Sequence, residues 1–570
     1  MKLFQRHSTE FQHFTYVTLK ENNILGNKST RMSKWNVSSL ITPLLRSDGI
    51  GFATVAASSV AMIVYMQRRS RRNPFPNATP FPFNQTVLGE LLYLYVIISK
   101  FHNGEVPSYY RSLRKKLGCV LYFGPIASLP HKCPCISLSD PKDQANFMKQ
   151  EKELELTVNM PDTAAAIHGE GNFQSIHGQA HASLRKIFSS ILSPRSLEAF
   201  TTIIVKEFQI LWNDLETKQD ELEIQTAIRE TQLKIMCKIL YGFGTETDED
   251  RRILTEFSKD FALTEKALFP IGGEKSKDFQ EGMKAKKRIN KILNDKFDSI
   301  FEKRIAQEGE HNHMKTNDSV IGSAMDQIVD GLIRSGCTSQ ENRGENGINN
   351  ISYENARGNL YLLLEASHIT TMTVTSSMMY FLNHSENKES LDRVRNEVRS
   401  LEPSYQSLKG LTFGAACVDE TLRLAPIIGS ISYFIPKSKS FKVRGEAIHG
   451  PIVVNFQNSN WYQDEDVFEM ANNFKPERWL SGEKQVSTFA KSVFRPFGFG
   501  RHICLGTPLA RLVMNANLYS FASNPNRSIV FNEEKVGVRG GLFPEKQVCH
   551  GFMGKVVVNE RSEEVHLKTI

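Results

Sequence analysis

The chain has 570 residues, 40% hydrophobic and 23% charged, an ordinary globular composition that allows a large core without disulfides or structural metals. A formal charge of +8, with acidic and basic residues interleaved and no basic stripe punctuated by aromatics, excludes nucleic acid as a partner. It suits an acidic redox partner or an anionic membrane surface instead. Eight scattered cysteines exclude a disulfide framework, and Cys133 and Cys135, one residue apart with no second pair, are too close for a zinc knuckle.

Residues 1–48 are polar and mildly basic with no hydrophobic period, and read as a tail or a targeting segment. Residues 49–66 carry no charge, a length at the short end of what spans ~30 Å of hydrocarbon. Arg68, Arg69, Arg71 and Arg72 follow, which by the positive-inside rule keeps the remainder cytosolic. A transmembrane anchor is expected here, the alternatives being a buried helix or part of a targeting sequence. The basic, proline-rich stretch 67–82 then denies a helix its donors and reads as a stiff linker.

From residue 83 to 559 no linker divides the chain, and 560–570 form a C-terminal tail. Helical periodicity dominates at 184–192, 200–215, 224–240, 284–305 and 353–383, while 441–443 and 451–456 alternate as strands. The polar stretch 336–350 is a loop. The expected fold is mostly α with small β-sheets, in one large catalytic domain.

Four segments within it carry chemistry. The first, HASLRK at 181–186, places His181 and Arg185 on one helical face. The second, EASHITT at 365–371, sits in the nearly uncharged helical run. The third pairs Glu420 with Arg423 at i, i+3, with FKPERW at 474–479 about fifty residues on.

The fourth is FGFGRHICLG at 497–506. Gly498, Gly500 and Gly506 let a loop turn tightly against a flat cofactor. Cys504 stands just before the helical run 507–521, where backbone N–H groups and the positive end of the helix stabilise a thiolate. A soft anionic sulfur there suits iron in a porphyrin.

This decapeptide resembles the haem-binding loop of the cytochrome P-450 family, with Phe497, Gly500, Cys504 and Gly506 in register. The resemblance implies haem b, with Cys504 as axial ligand to its iron. Arg185, His181 and His502 then hold propionates, and Glu420, Arg423 and Arg478 form a buried structural lock. A further cation expected beyond the Glu420 helix is replaced by Tyr433. Residues 365–371 resemble the oxygen-activating segment: Ala366 and Ser367 are its small residues, and Thr370 is the hydroxyl that assists protonation. The acid of that segment is absent, Ile369 standing in its place. Glu365 or His368 acting through water, or water alone, are the open substitutes.

The expected activity is therefore haem-dependent monooxygenation of an apolar lipid, with electrons from NADPH through a reductase, or a ferredoxin in an organelle. The residues Leu88, Gly89 and Glu90, the 181–186 segment and His368 look most like the sterol- and retinoid-oxidising branch. Ile369 keeps open an isomerase or dehydratase of lipid peroxides. A non-catalytic haem-binding protein is the third reading. The endoplasmic reticulum membrane is the expected location, with a plastid or mitochondrial membrane as the alternative.

Overall fold

A computed structural model describes residues 79–80, 106–123 and 133–558, with breaks at 219, 245–246, 271–272, 311–321, 336–352, 483–484, 533–535, 541–545 and 551. All of these belong to one unit, Arg69–Ile570. The tail, the expected anchor at 49–66, most of the linker and the loop 336–350 lie outside the described residues. Among the described residues no helix is long and apolar enough to cross a membrane.

The described chain is mostly helical with small sheets. Its helices are α1 (Val106–Leu117), α2 (Pro141–Met148), α3 (Glu151–Leu154), α4 (Asp162–His168), α5 (Gly178–Ser189), α6 (Pro194–Glu216), α7 (Ile224–Tyr241), α8 (Asp248–Leu268) and α9 (Lys277–Glu310). Then come α10 (Ala324–Arg334), α11 (Tyr353–Gly358), α12 (Leu360–Asn383), α13 (Lys388–Val398), α14 (Tyr405–Lys409), α15 (Thr412–Leu424), α16 (Thr488–Val493) and α17 (Thr507–Ala522). Local chemistry sets several ends. Ser193 caps α6 by accepting the Ser196 N–H, with Pro194 in the first turn. Ser323 and Asp326 bond reciprocally across the start of α10.

Twelve strands accompany them among the described residues. A five-stranded mixed sheet runs β1-β2-β3-β8-β5, with β1 Thr79–Pro80, β2 Val120–Phe123, β3 Cys135–Leu138, β5 Ser430–Ile435 and β8 Ile452–Gln457. β4 (Leu222–Glu223) and β9 (Arg527–Phe531) flank β12 (Met553–Val558), and β10 (Gly537–Gly540) pairs β11 (Lys546–His550). The hairpin of β6 (Ser440–Val443) and β7 (Glu446–His449) closes through Arg444 and Gly445, both at positive φ, the geometry a two-residue turn requires.

The expected helix over 353–383 is two helices. Asn359 breaks it: wholly buried, its amide donates to the carbonyls of Gly171 (3.2 Å) and Asn355 (2.7 Å) and accepts from the Phe173 N–H (3.0 Å). The loop before α5 is thereby pinned to the start of α12. Downstream, α12 is buried along most of its length although it is rich in Thr and Ser. It tolerates that burial because four of its hydroxyls bond a carbonyl one turn back: Thr370 to Ala366, Thr373 to Ile369, Thr375 to Thr371 and Ser377 to Thr373, at 2.8–2.9 Å.

One continuous apolar core joins α5–α10 with α12–α15 and α17. Trp212 of α6 lies in it, donating from its indole to Asn517 of α17 at 3.1 Å. A second core lies under the five-stranded sheet, and a third packs Trp461, Tyr462, Phe468 and Val493 together with the partly buried Trp479.

Candidate active site

The loop 497–506 is shaped before it meets any ligand. Its closing bond runs from the Cys504 N–H to the Phe497 carbonyl (2.9 Å), and Thr507 Oγ1 donates to the Cys504 carbonyl (3.0 Å). Gly498 and Gly500 turn the chain at φ of 75° and 78°. At Gly500 a Cβ would run into Met148 Cε of α2 and sit 3.1 Å from the Glu151 carboxylate. That carboxylate accepts the Arg501 N–H at 3.1–3.2 Å. Phe499 stacks on Phe456 of β8, centroids 5.5 Å apart. The five-stranded sheet and α2–α3 thus hold the loop from outside, and nothing in the sequence singled out Glu151 for that task.

What the loop leaves uncovered is Cys504, the one exposed thiol among the described free cysteines. Cys133, Cys135, Cys237 and Cys417 are buried, and burial pushes their thiols up, away from the thiolate form. Cys504 precedes α17, whose first backbone bond runs from the Ala510 N–H to Gly506 and whose N-terminus carries no side-chain cap.

Two residues of α5 stand beside this loop. Arg185 is half-buried and has no hydrogen-bond partner among the described residues. Burial pulls its guanidinium down, and the nearby Cys504 sulfur opposes that pull. His181 lies one turn earlier, its ring 4.2 Å from that of His502. Burial, then the neighbouring His502, Arg185 and Arg501, press it down to about 4, so it is neutral at physiological pH.

His502 departs from the expected propionate contact. Its Nε2 lies 3.0 Å from the Leu156 carbonyl, which can only accept, so Nε2 carries the proton. Burial lowers this imidazole too, which leaves Nδ1 of the neutral ring an acceptor. A carboxylate finds no free donor there. Tyr433 is buried in the sheet core and brings no cation.

Behind the loop the structure brings Glu420, Arg423 and Arg478 together. Glu420 and Arg423 are fully buried. The Glu420 carboxylate accepts five bonds: Arg423 Nε (2.9 Å) and Nη2 (2.7 Å), Arg478 Nε (3.1 Å), Trp479 Nε1 (2.9 Å) and the Lys475 N–H (2.9 Å). Two guanidinium groups face one carboxylate, so backbone carbonyls take the remaining donors. Arg423 reaches Tyr462, Ala471 and Asn473, and Arg478 reaches Glu469 and Met470.

On α12 the partly open residues in the middle are Leu363, Ala366, Ser367 and Thr370. Their spacing of three, one and three makes a single stripe. Small side chains at 366 and 367 and the Thr370 hydroxyl, which donates to Ala366, form the floor of that stripe. Ile369 is buried beside it and supplies no acid. Glu365 and His368 sit on the far face, paired with His168 (3.3 Å) and with the Arg229 carbonyl (3.0 Å). Neither touches the open stripe.

Comparison with known proteins decides the family. The Cytochrome P450 family profile matches residues 86–524. The chain belongs to the cytochrome P-450 family.

This cytochrome P-450 is 24% identical over 471 residues to cytochrome P-450 26A1 of Danio rerio, covering 80% of the chain and 85% of that relative. It is 33% identical over 153 residues to the mitochondrial 1,25-dihydroxyvitamin D(3) 24-hydroxylase of Rattus norvegicus, 26% of the chain and 29% of that protein. Among solved structures it resembles a retinoic-acid-bound cyanobacterial cytochrome P-450, with a TM-score of 0.61 at 17% identity over 78% of this chain and 93% of that one. The chain is thus a cytochrome P-450 monooxygenase whose cofactor is haem held through a thiolate. Its residues fit that group: an exposed thiol before a helix N-terminus, glycines that keep the loop flat, and an unpartnered guanidinium for an anionic edge.

Proposed function

We propose that this cytochrome P-450 hydroxylates an apolar, sterol- or isoprenoid-like lipid, taking electrons from NADPH through a reductase, or through a ferredoxin if it works in an organelle. The observation that carries the reading is the combination of the exposed Cys504 before α17 with one open stripe on the buried helix α12. The lipid class is supported by the relatives: one is named for a vitamin D substrate, and the structural neighbour was solved with retinoic acid.

Bound haem supplies oxygen activation, the thiolate pushing electron density toward iron. The chain does the rest. Cys504 provides the sulfur, and Arg185, with its free donors, takes a propionate. His181 is the better second donor, since the His502 N–H is committed to Leu156. Thr370 holds a proton at Oγ1 on the open stripe, and Ala366 and Ser367 leave room above it. Glu420, Arg423 and Arg478 keep the loop side rigid. The test is a panel of retinoids, sterols and secosteroids added to purified protein. A member of the panel should shift the haem spin state and give hydroxylated product with reductase and NADPH. A shift confined to non-lipid compounds would sink the lipid reading.

We further propose that residues 49–66 anchor the protein in the endoplasmic reticulum membrane with the catalytic unit in the cytosol. The uncharged run and the four arginines after it support this. Removing residues 1–72 should move most of the protein to the soluble fraction while haem is still incorporated. An unchanged membrane fraction would show that the attachment lies elsewhere.

A further inference from the structure

The far face of α12 carries a buried polar cluster that the reaction as described leaves unused. Glu365, 5% exposed, meets His168 through Oε1 and has no partner for Oε2. Tyr361, one turn earlier and 1% exposed, has its hydroxyl beside Thr264 and Glu365 but in well-formed hydrogen-bond geometry with neither. His368 Nδ1, Gln232 Oε1 and Glu265 Oε1 are buried and unpartnered as well. Contacts tie these groups into one neighbourhood. Phe261 of α8 stacks on Tyr361 and meets His368 edge-on, with centroids 5.8 and 6.0 Å away. Gln232 of α7 donates to the carbonyls of Ser367 and His368 at 3.4 Å. Lys286 of α9 donates to the Ala166 carbonyl at 2.9 Å, its Nζ 5.9 Å from the Tyr361 ring centre.

One end of the cluster reaches solvent. Glu265 pairs with Arg229 at 2.8 Å, and their side chains are 20% and 31% exposed. Burial raises the Glu265 carboxyl, with the neighbouring Glu365 adding to the rise, so this outer group takes up protons more readily than an ordinary glutamate. The inner end is Glu365, four residues before Ile369 and therefore its neighbour on the helix surface. Buried polar atoms without protein partners are commonly satisfied by ordered water, and five such atoms gather on and against this face of α12.

We propose that this cluster holds a chain of ordered water leading from Glu265 at the surface to Glu365, and that Glu365 supplies the protons which the acid missing at Ile369 cannot. The proposal rests on the monooxygenase reading. Hydroxylation takes dioxygen, two electrons from NADPH and two protons, one oxygen atom entering the substrate and the other leaving as water. Each proton passed from the Glu365 carboxyl through water toward Thr370 leaves a carboxylate. That carboxylate is refilled through water from Glu265, and Glu265 from solvent. The groups facing Glu365 in this path are His168, Lys286, Tyr361 and Glu265, with Arg229 and His368 beyond them.

The experiment uses the haem-loaded full chain with reductase. Glu365→Gln should cut product formed per NADPH about a hundredfold, the low end of what a positioned proton donor contributes, with hydrogen peroxide making up the difference. The solvent deuterium isotope effect on product formation should rise and substrate KM should stay put. Adding Ile369→Asp to Glu365→Gln should restore coupling, because it returns an acid beside Thr370; a merely structural Glu365 would not be rescued so. Where Glu365→Gln does not load haem, Glu265→Gln at the outer end should give the same loss. Independently of turnover, a crystal structure of the holoprotein should show water within hydrogen-bond reach of Tyr361 Oη and Glu365 Oε2. Unchanged coupling and isotope effect in both variants, a dry cluster, or a change in KM alone would overturn the proposal. A wild-type protein lacking the thiolate signature would instead overturn the monooxygenase reading beneath it.

Discussion

Replacing Cys504 with Ala is expected to erase the carbon-monoxide difference band that marks thiolate-ligated ferrous haem, and monooxygenase turnover with it. The magnitude follows from how little else among the described residues can take over. Cys133, Cys135, Cys237 and Cys417 are enclosed by packing that pushes their thiols up, and Cys119 is partly covered with its thiol raised by the same cause. His181 and His502 are neutral imidazoles near the loop, and an imidazole ligand would give a different band. Cys133→Ser and Cys135→Ser should leave the spectrum as it is. A Cys504→Ala protein that keeps the thiolate band would mean that another residue holds the iron.

The second large effect is expected at Glu420. Removing this carboxylate strands two guanidinium groups where water cannot reach them, an error that costs about 3–5 kcal/mol when a buried pair is broken. A domain is stable by only about 5–15 kcal/mol, so Glu420→Ala should leave little protein able to load haem. Glu420→Gln keeps the shape but loses the charge and one acceptor, and should lower the midpoint of thermal unfolding sharply. Arg478→Lys, which gives up the planar fork while retaining the charge, should fall between these variants and wild type. Thermal denaturation followed alongside haem content measures all three. Haem content equal to wild type in Glu420→Ala would show that the backbone carbonyls of Tyr462, Glu469, Met470, Ala471 and Asn473 suffice without it.

The parts of this molecule legible in its sequence are those where chemistry is written at short range. FGFGRHICLG needs its glycines at 498 and 500 because the backbone there takes positive φ, and the structure shows that conformation. Glu420 and Arg423 lie one turn apart, so their meeting follows from helical spacing. Helix α7, with a clean apolar stripe, appears within one residue of the predicted bounds, while α6 ends within one residue but starts six residues earlier, at its Ser193 cap. Helix α8 was not among those expected, although Thr247 followed by Asp248, Glu249 and Asp250 is a readable start signal; its many charges had masked the stripe of Ile253, Phe257 and Phe261. The break at Asn359 was illegible, since it depends on partners at 171 and 173. The same holds for Glu151, whose task exists only because α3 folds against the loop. At His502 the motif located the residue, but the Leu156 carbonyl, far off in sequence, decides which nitrogen carries the proton.

The indole of Trp479 bonded to Glu420 has a practical consequence. The chain holds four tryptophans, and three of them lie in described regions: Trp212 in the main helical core, Trp461 and Trp479 in the small core beneath the haem loop. Opening the ion cluster around Glu420 releases the Trp479 N–H to water, whereas Trp212 keeps its bond to Asn517 until the helices themselves separate. Emission from a Trp479→Phe protein, subtracted from that of the wild type, therefore times the assembly of the cofactor side alone, with no added label.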